Sequence, residues 1–331
     1  MSTAVSSDAA AARPPDRTGT AAAGAHGGRR SRRARTTRRQ QRTAAALLIG
    51  PFGILMALVF LVPLVYAIVL SLFTVDHHGL GFGNGHTVFT GLRSYAAVLT
   101  DPTFASGFGV IGLFLVIEVP VLVIVSLGLA LLLDSGMVRL RRTAQLFLFL
   151  PHAVPGIIAA LIWFYLYTPG VSPVVRALSG TGLSVDFLGI HLVLPSLVNV
   201  VLWNGLGYNM VIFYAALQAI PREVIEASVL DGASAWRTAL RVKIPMVRAT
   251  VVLVVMFAVI AALQLYTEPT LFNQTDALVS SRYTPNMYIY DAAFDRQNYG
   301  LSSAAAVILL VVSCVLSYAV TRWSNRGEDR K

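Results

Sequence analysis

The chain has 331 residues, 56% of them apolar and 13% charged, with a mean hydropathy of +0.67. Soluble domains carry about 25% charged residues, so most soluble folds are excluded, as is disorder along the whole chain, which goes with few apolar residues. The lone Cys314 excludes a disulfide framework and Cys-rich zinc modules, while 26 basic against 16 acidic residues leave a net charge of +10 that needs a location.

Residues 1–45 are rich in Ala, Arg, Ser, Thr and Gly and contain GGRRSRRARTTRRQQR from Gly27 to Arg42. Without apolar periodicity this reads as a disordered basic tail. Nucleic acid binding would call for interleaved aromatics or a folded module, and neither accompanies the tail. Contact with anionic membrane lipid is therefore favoured, and no nucleic acid partner is expected. The pairs Arg29-Arg30 and Arg32-Arg33 do not form a twin-arginine export signal, because the next apolar stretch is too long and lacks a small-residue cleavage site.

Six apolar stretches follow, at about 46–72, 107–133, 144–167, 192–218, 249–266 and 303–321, each near or above the ~20 residues a helix needs to cross a bilayer. No Lys or Arg lies within them. The expected fold is an all-α polytopic membrane protein of six transmembrane helices spanning 46–323, with 324–331 as a short C-terminal end. Twenty-two of the 26 basic residues fall in the tail, the 134–143 and 219–248 loops and the C-terminal end, against 4 in the 73–106, 168–191 and 267–302 loops. By the positive-inside rule both termini are expected to be cytoplasmic, in the cell membrane.

The outer loops read as solvated connectors. GLGFGNG (Gly79–Gly85) lacks the Lys-Ser/Thr of a phosphate loop and its strand-to-helix setting. Tyr288–Phe294 suits a short amphipathic helix at the membrane surface. The 219–248 loop reads as a compact helix–turn–helix. Pro221 suits a first helical position, Glu223 and Glu226 sit near the positive helix end, and Val224, Ala227 and Leu230 form one stripe. Gly232 is placed to stop that helix, Ser234 to cap a second, and Pro245 to end it. These features fit either a hairpin on the lipid surface or a docking element for a cytoplasmic partner.

The loop resembles the EAA signature of permease subunits of bacterial binding-protein-dependent ABC importers. The match runs Glu226-Ala227-Ser228, then Asp231-Gly232-Ala233, then Val242-Lys243-Ile244-Pro245, with Ser228, Val242 and Ile244 as conservative departures. Phe149-Leu150-Pro151 through Pro155, Ala159–Trp163 and Tyr288–Phe294 with Tyr299-Gly300 are similar to the carbohydrate-uptake branch, the maltose and glycerol-phosphate type. The resemblance implies that Glu226, Ala227, Ser228, Asp231, Gly232 and Ala233 couple the chain to an ATPase. It also implies a second homologous permease, two ABC ATPase subunits and an extracytoplasmic solute-binding protein as partners.

No catalytic set is legible. The only lysines, Lys243 and Lys331, do not follow glycine as a P-loop requires, and the six histidines form no HExxH pattern. An enzyme is therefore not expected, nor a cofactor or metal on this chain; ATP and magnesium belong on the implied ATPase. Candidates for a substrate path are polar residues within spans, which are costly in lipid and tend to face the bundle interior. These are Glu118, Asn204, Tyr208, Asn209, Gln264 and Tyr266. Asn199, Asn204 and Asn209 each rotate by about 140° from the last, so a straight helix cannot aim all three at one pore, and Gly205 and Gly207 would permit a break. Each of these amides also suits interhelical hydrogen bonding. The absence of intramembrane Lys or Arg leans towards a neutral sugar. The alternative is an ion-coupled carrier using Glu118, whose plainer role is a protonated or hydrogen-bonded group at a helix interface.

Overall fold

The computed structural model describes residues 47, 49–76, 86–182, 185–273 and 279–325. The basic tail read at 1–45, the 79–85 glycine segment and residues 326–331 lie outside the described residues. The described residues up to Leu64 belong to one unit and those from Val65 to a second. The first apolar stretch is a helix, Ile49–Leu70. Its Ala57–Leu61 turn is a π turn in which the Val62 amide donates to the Ala57 carbonyl. Pro63 follows two residues later, and a proline ring crowds the carbonyl four residues back, which a widened turn relieves.

In the second unit, two short antiparallel strands, Phe73–Asp76 and His86–Phe89, pair with Phe73 opposite Phe89. They are the only strands among the described residues. Gly300 lets the last long helix, Tyr299–Asn325, approach this hairpin: a Cβ there would lie 1.9 Å from the Phe73 carbonyl oxygen. The hairpin leads into the short helix Arg93–Thr100.

The next helix, Pro102–Asp134, begins five residues before its expected start. Pro102 occupies its first turn and Asp101 Oδ1 accepts from the Thr103 amide at 2.8 Å, a proline-and-acid start that supplies an acceptor for an orphan N–H. At 1.5 Å per residue its 33 residues reach about 50 Å, beyond the ~30 Å hydrocarbon layer. Asp101 and Asp134 thus mark opposite ends of the bundle. This helix packs along Val193–Gln218. One buried cluster holds Ile111, Phe114, Leu197 and Leu263; the next, Leu122, Met210, Phe213 and Leu217. Arg248–Leu263 and the last helix also pack together, and Ala258, Ala262, Ala304 and Ala305 are buried. Small side chains permit the close approach that stands in for hydrophobic drive between helices in lipid.

Among the described residues five helices are long and apolar enough to cross a membrane, and the 144–167 stretch supplies a sixth crossing only if its two pieces act as one. Read from sequence as one span, that stretch is two helices, Arg141–Ala153 and Gly156–Tyr167, bent by 92°. Pro151 and Pro155 remove two amide donors at the bend. The break that Gly205 and Gly207 would permit does not occur, since Val193–Gln218 is continuous. Gly207 has another use. A Cβ there would lie 1.8 Å from the Leu148 carbonyl oxygen, so its bare backbone seats the bend of the neighbouring helix.

Gly207→Ala should force these two helices apart and cost about 1–3 kcal/mol, the range for overpacking. Gly112→Ala meets nothing within 4 Å and should be neutral or better. Thermal unfolding in detergent reads both; equal melting points would contradict the close approach.

Candidate functional site

The 219–248 loop is ordered. Its first helix is Arg222–Leu230, with Pro221 just before it rather than inside it and Glu223 in the first turn. Gly232 has φ +76°, a left-handed conformation that lets the chain turn. The Asp231 amide donates to Ala227 O and the Ala233 amide to Ser228 O, both at 3.0 Å, closing the helix end. Ser234 caps the second helix by accepting from the Arg237 amide. Ser228 Oγ lies 3.2 Å from the buried Thr238 hydroxyl and joins the two halves.

Pro245 does not end that second helix. The chain stays helical through the π turn Ala239–Lys243 and a last turn Ile244–Met246, breaking only at Val247. This π turn again stops two residues before a proline. On the first helix Ile225 packs against the core while Val224, Ala227 and Leu230 are exposed, Leu230 by 88%. Glu226, Asp231 and Gly232 share that exposure, and Ser228 and Ala233 are half-buried.

Asp134 is a site residue that the sequence did not single out. Its Oδ2 lies 2.5 Å from Lys243 Nζ and its Oδ1 accepts from Gln218 Nε2 at 2.6 Å. One carboxylate thus joins the end of Pro102–Asp134, the end of Val193–Gln218 and the second half of the loop. The Lys243 and Asp134 side chains are only 15% and 10% exposed. Charge alternation offered no hint, because the partners stand 109 residues apart.

The six path candidates fall into separate places. Asn204 serves the bend: its Nδ2 donates to the carbonyls of Pro151 and Val154, both at 3.2 Å, and His152 Nδ1 donates to the Asn204 backbone carbonyl. The Tyr208 ring stacks on His152 at 4.6 Å. Asn209 Nδ2 bonds within its own helix, to Gly205 O at 2.9 Å. Gln264 and Tyr266 stand together where Arg248–Leu263 ends, and Tyr266 continues into the aromatic row Tyr266, Tyr290, Phe294. Glu118 is buried alone in the middle of its helix, and its Oε2 has no hydrogen-bond partner among the described residues.

Near the Asp101 end, the Tyr288–Phe294 stretch is helical as expected, split between the helix Pro285–Tyr290 and the π turn Asp291–Asp295. Tyr288 is buried and donates to Asp101 Oδ2 at 2.9 Å. Burial first, and this carboxylate next, push its phenol up to about 12. Asp291 pairs with Arg282 and Arg296.

Residues 124–330 match a family described as "Binding-protein-dependent transport system inner membrane component". The osmoprotective compounds uptake permease protein GgtC of Synechocystis is 32% identical over 251 residues, covering 72% of this chain and 87% of the relative. The trehalose transport system permease protein SugA of Mycobacterium tuberculosis is 28% identical over 279 residues, covering 82% and 85%. A crystal structure of a bacterial ABC transporter involved in the import of the acidic polysaccharide alginate contains a chain of similar fold. Its TM-score is 0.72 at 20% identity, covering 89% of this chain and 99% of that one.

Removing one partner of a largely buried ion pair strands the other charge, at a cost of about 3–5 kcal/mol. Asp134→Ala and Lys243→Ala should each destabilise the purified chain, the double variant by much less than their sum, and the exchange Asp134→Lys with Lys243→Asp should recover part of the loss. A double-mutant cycle by thermal unfolding checks this; strictly additive losses would contradict the tie.

Proposed function

Because the chain belongs to the family of binding-protein-dependent transport system inner membrane components, we propose that it is the membrane-spanning permease of an ATP-driven ABC importer whose solute is a sugar or similar polyol. Relatives named for trehalose, diacetylchitobiose and osmoprotective compounds support that substrate class. The lack of Lys and Arg within the apolar stretches favours a neutral solute over an anionic one. With 22 of the 26 basic residues in the tail, the 134–143 and 219–248 loops and the C-terminal end, the termini and the 219–248 loop belong in the cytoplasm. A second permease and two ATPases complete the assembly, with ATP and magnesium held by the ATPases. An extracytoplasmic binding protein delivers the solute, as a periplasmic protein carrying an alginate pentasaccharide sits in the complex of one structural relative. An ion-coupled carrier built on Glu118 is not favoured, since the family depends on a binding protein.

The observation that carries this reading is the exposed stripe Val224, Ala227 and Leu230 beside the Gly232 turn. A soluble surface gains nothing from an ordered apolar row, whereas a docking helix presents its anchors this way. Glu226 on the same helix is available to a basic group of the ATPase. When the ATPases close on nucleotide, a push on this helix passes through the Ser228–Thr238 contact to the second half of the loop. From there the Lys243–Asp134–Gln218 tie conveys it to two long helices at once. Rigid-body rocking of those helices then opens one end of the path and closes the other.

Gly232→Pro places a residue fixed near φ −65° where φ is +76°, and Glu226→Lys reverses a docking charge. Each should lower ATPase association and sugar uptake by at least roughly tenfold, the worth of about 1.4 kcal/mol, and uptake by the unaltered transporter should resist proton uncouplers while ATP is held constant. Unchanged association and uptake in both variants would overturn the docking assignment, and uptake abolished by uncouplers would overturn ATP drive.

A further inference from the structure

Beside the loop lies an apolar cavity of about 520 Å³, within the size range of small-molecule sites. Its walls come from the last turns of Pro102–Asp134, through Leu127 and Leu131, and from the loop's second half, through Trp236, Leu240 and Ile244. Gly128 lines it too, and a Cβ there would meet nothing within 4 Å, so the missing side chain leaves the space open. Met137 closes one side. Two residues on, Arg139 begins a second depression of about 600 Å³ formed by Gly136 and residues 138–143, which include Arg141 and Arg142.

We propose that the two depressions together hold one anionic phospholipid, with an acyl chain in the cavity and its phosphate on Arg139 and Arg142. Charge and depth argue for that occupant. The cavity lies at the last turns of a membrane-length helix, just before Asp134, where acyl chains meet headgroups. Trp236 is 72% exposed at its rim, and indole is enriched at that depth. Arg141 is engaged over the Tyr214 ring at 5.5 Å, whereas Arg139 and Arg142 form no ion pair among the described residues. Asp134, the acid at the same helix end, is already committed to Lys243 and Gln218. A molecule that fills both depressions must be apolar at one end and anionic at the other. A diacyl phospholipid of the cytoplasmic leaflet has that form, and binding there would brace the loop against the span. The site shares no residue with the six path candidates and does not depend on which solute is carried.

The test uses the full chain with its transporter partners, reconstituted in nanodiscs of equal phosphatidylglycerol and phosphatidylcholine, then extracted for lipid quantification by native mass spectrometry. The wild type should retain phosphatidylglycerol selectively. Joint Arg139→Gln and Arg142→Gln should reduce that preference by roughly tenfold, and Gly128→Leu or Leu240→Trp, which fill the cavity, should remove the retained lipid. Thermal unfolding of each variant separates a filled cavity from a misfolded chain. Equal retention of both lipids, or retention untouched in folded variants, would overturn the proposal. So would efficient cross-linking of Leu240→Cys to the second permease in a Cys314→Ser background, since protein would then cover the site.

Discussion

A helix interrupted within hydrocarbon leaves amides and carbonyls that no solvent there can satisfy, so a bend survives only where protein supplies the partners. The bend between Arg141–Ala153 and Gly156–Tyr167 meets that constraint through its neighbour, Val193–Gln218. Asn204 donates to two carbonyls at the bend, those of Pro151 and Val154, His152 returns a bond to the Asn204 backbone and stacks on Tyr208, and Gly207 gives the room for all of it. Because these contacts come from one face of a continuous helix, the bend and the helix are one mechanical piece. The long Pro102–Asp134 helix packs along the same piece and extends from the Asp101 end to the loop.

The loop inherits its rigidity from that frame. Asp134 fixes its second half to the ends of both long helices, and Ser228 fixes its first half to its second. What stays outward is the face that the frame does not use: Val224, Ala227, Glu226, Leu230 and the Gly232 turn. A loop that is held firmly on one side and offers an apolar row on the other transmits force better than a tether does. In the importer reading, that is the physical content of coupling.

Much of this was legible in the residues alone. Hydropathy located the apolar stretches, and Gly232 and Ser234 marked the turn and the second cap where the structure has them. The failures share a cause. Pro245 was read as a stop and Pro151–Pro155 as part of a straight span, because local rules cannot say whether a π turn or a neighbouring amide will absorb a proline. Gly205 and Gly207 were read as permitting a break, whereas Gly207 serves a contact between helices. Asn204, which suited either a solute or a neighbouring helix, spends its side-chain donor on the bend, and the Asp134–Lys243 tie closes across more than a hundred residues. Long-range pairings leave no periodic trace in one sequence.

The central claim is that the outward face of the Arg222–Leu230 helix meets the ATPase. Site-directed photo-cross-linking tests it most directly. A benzophenone placed through Ala227→Cys, in a Cys314→Ser background, should link the chain to the ATPase subunit, with a yield that changes between nucleotide-free and ATP-bound transporter. The same probe at Thr100→Cys, beside Asp101 at the opposite end, should not. Absence of the product at Ala227, or an ATPase product from Thr100, would contradict the account.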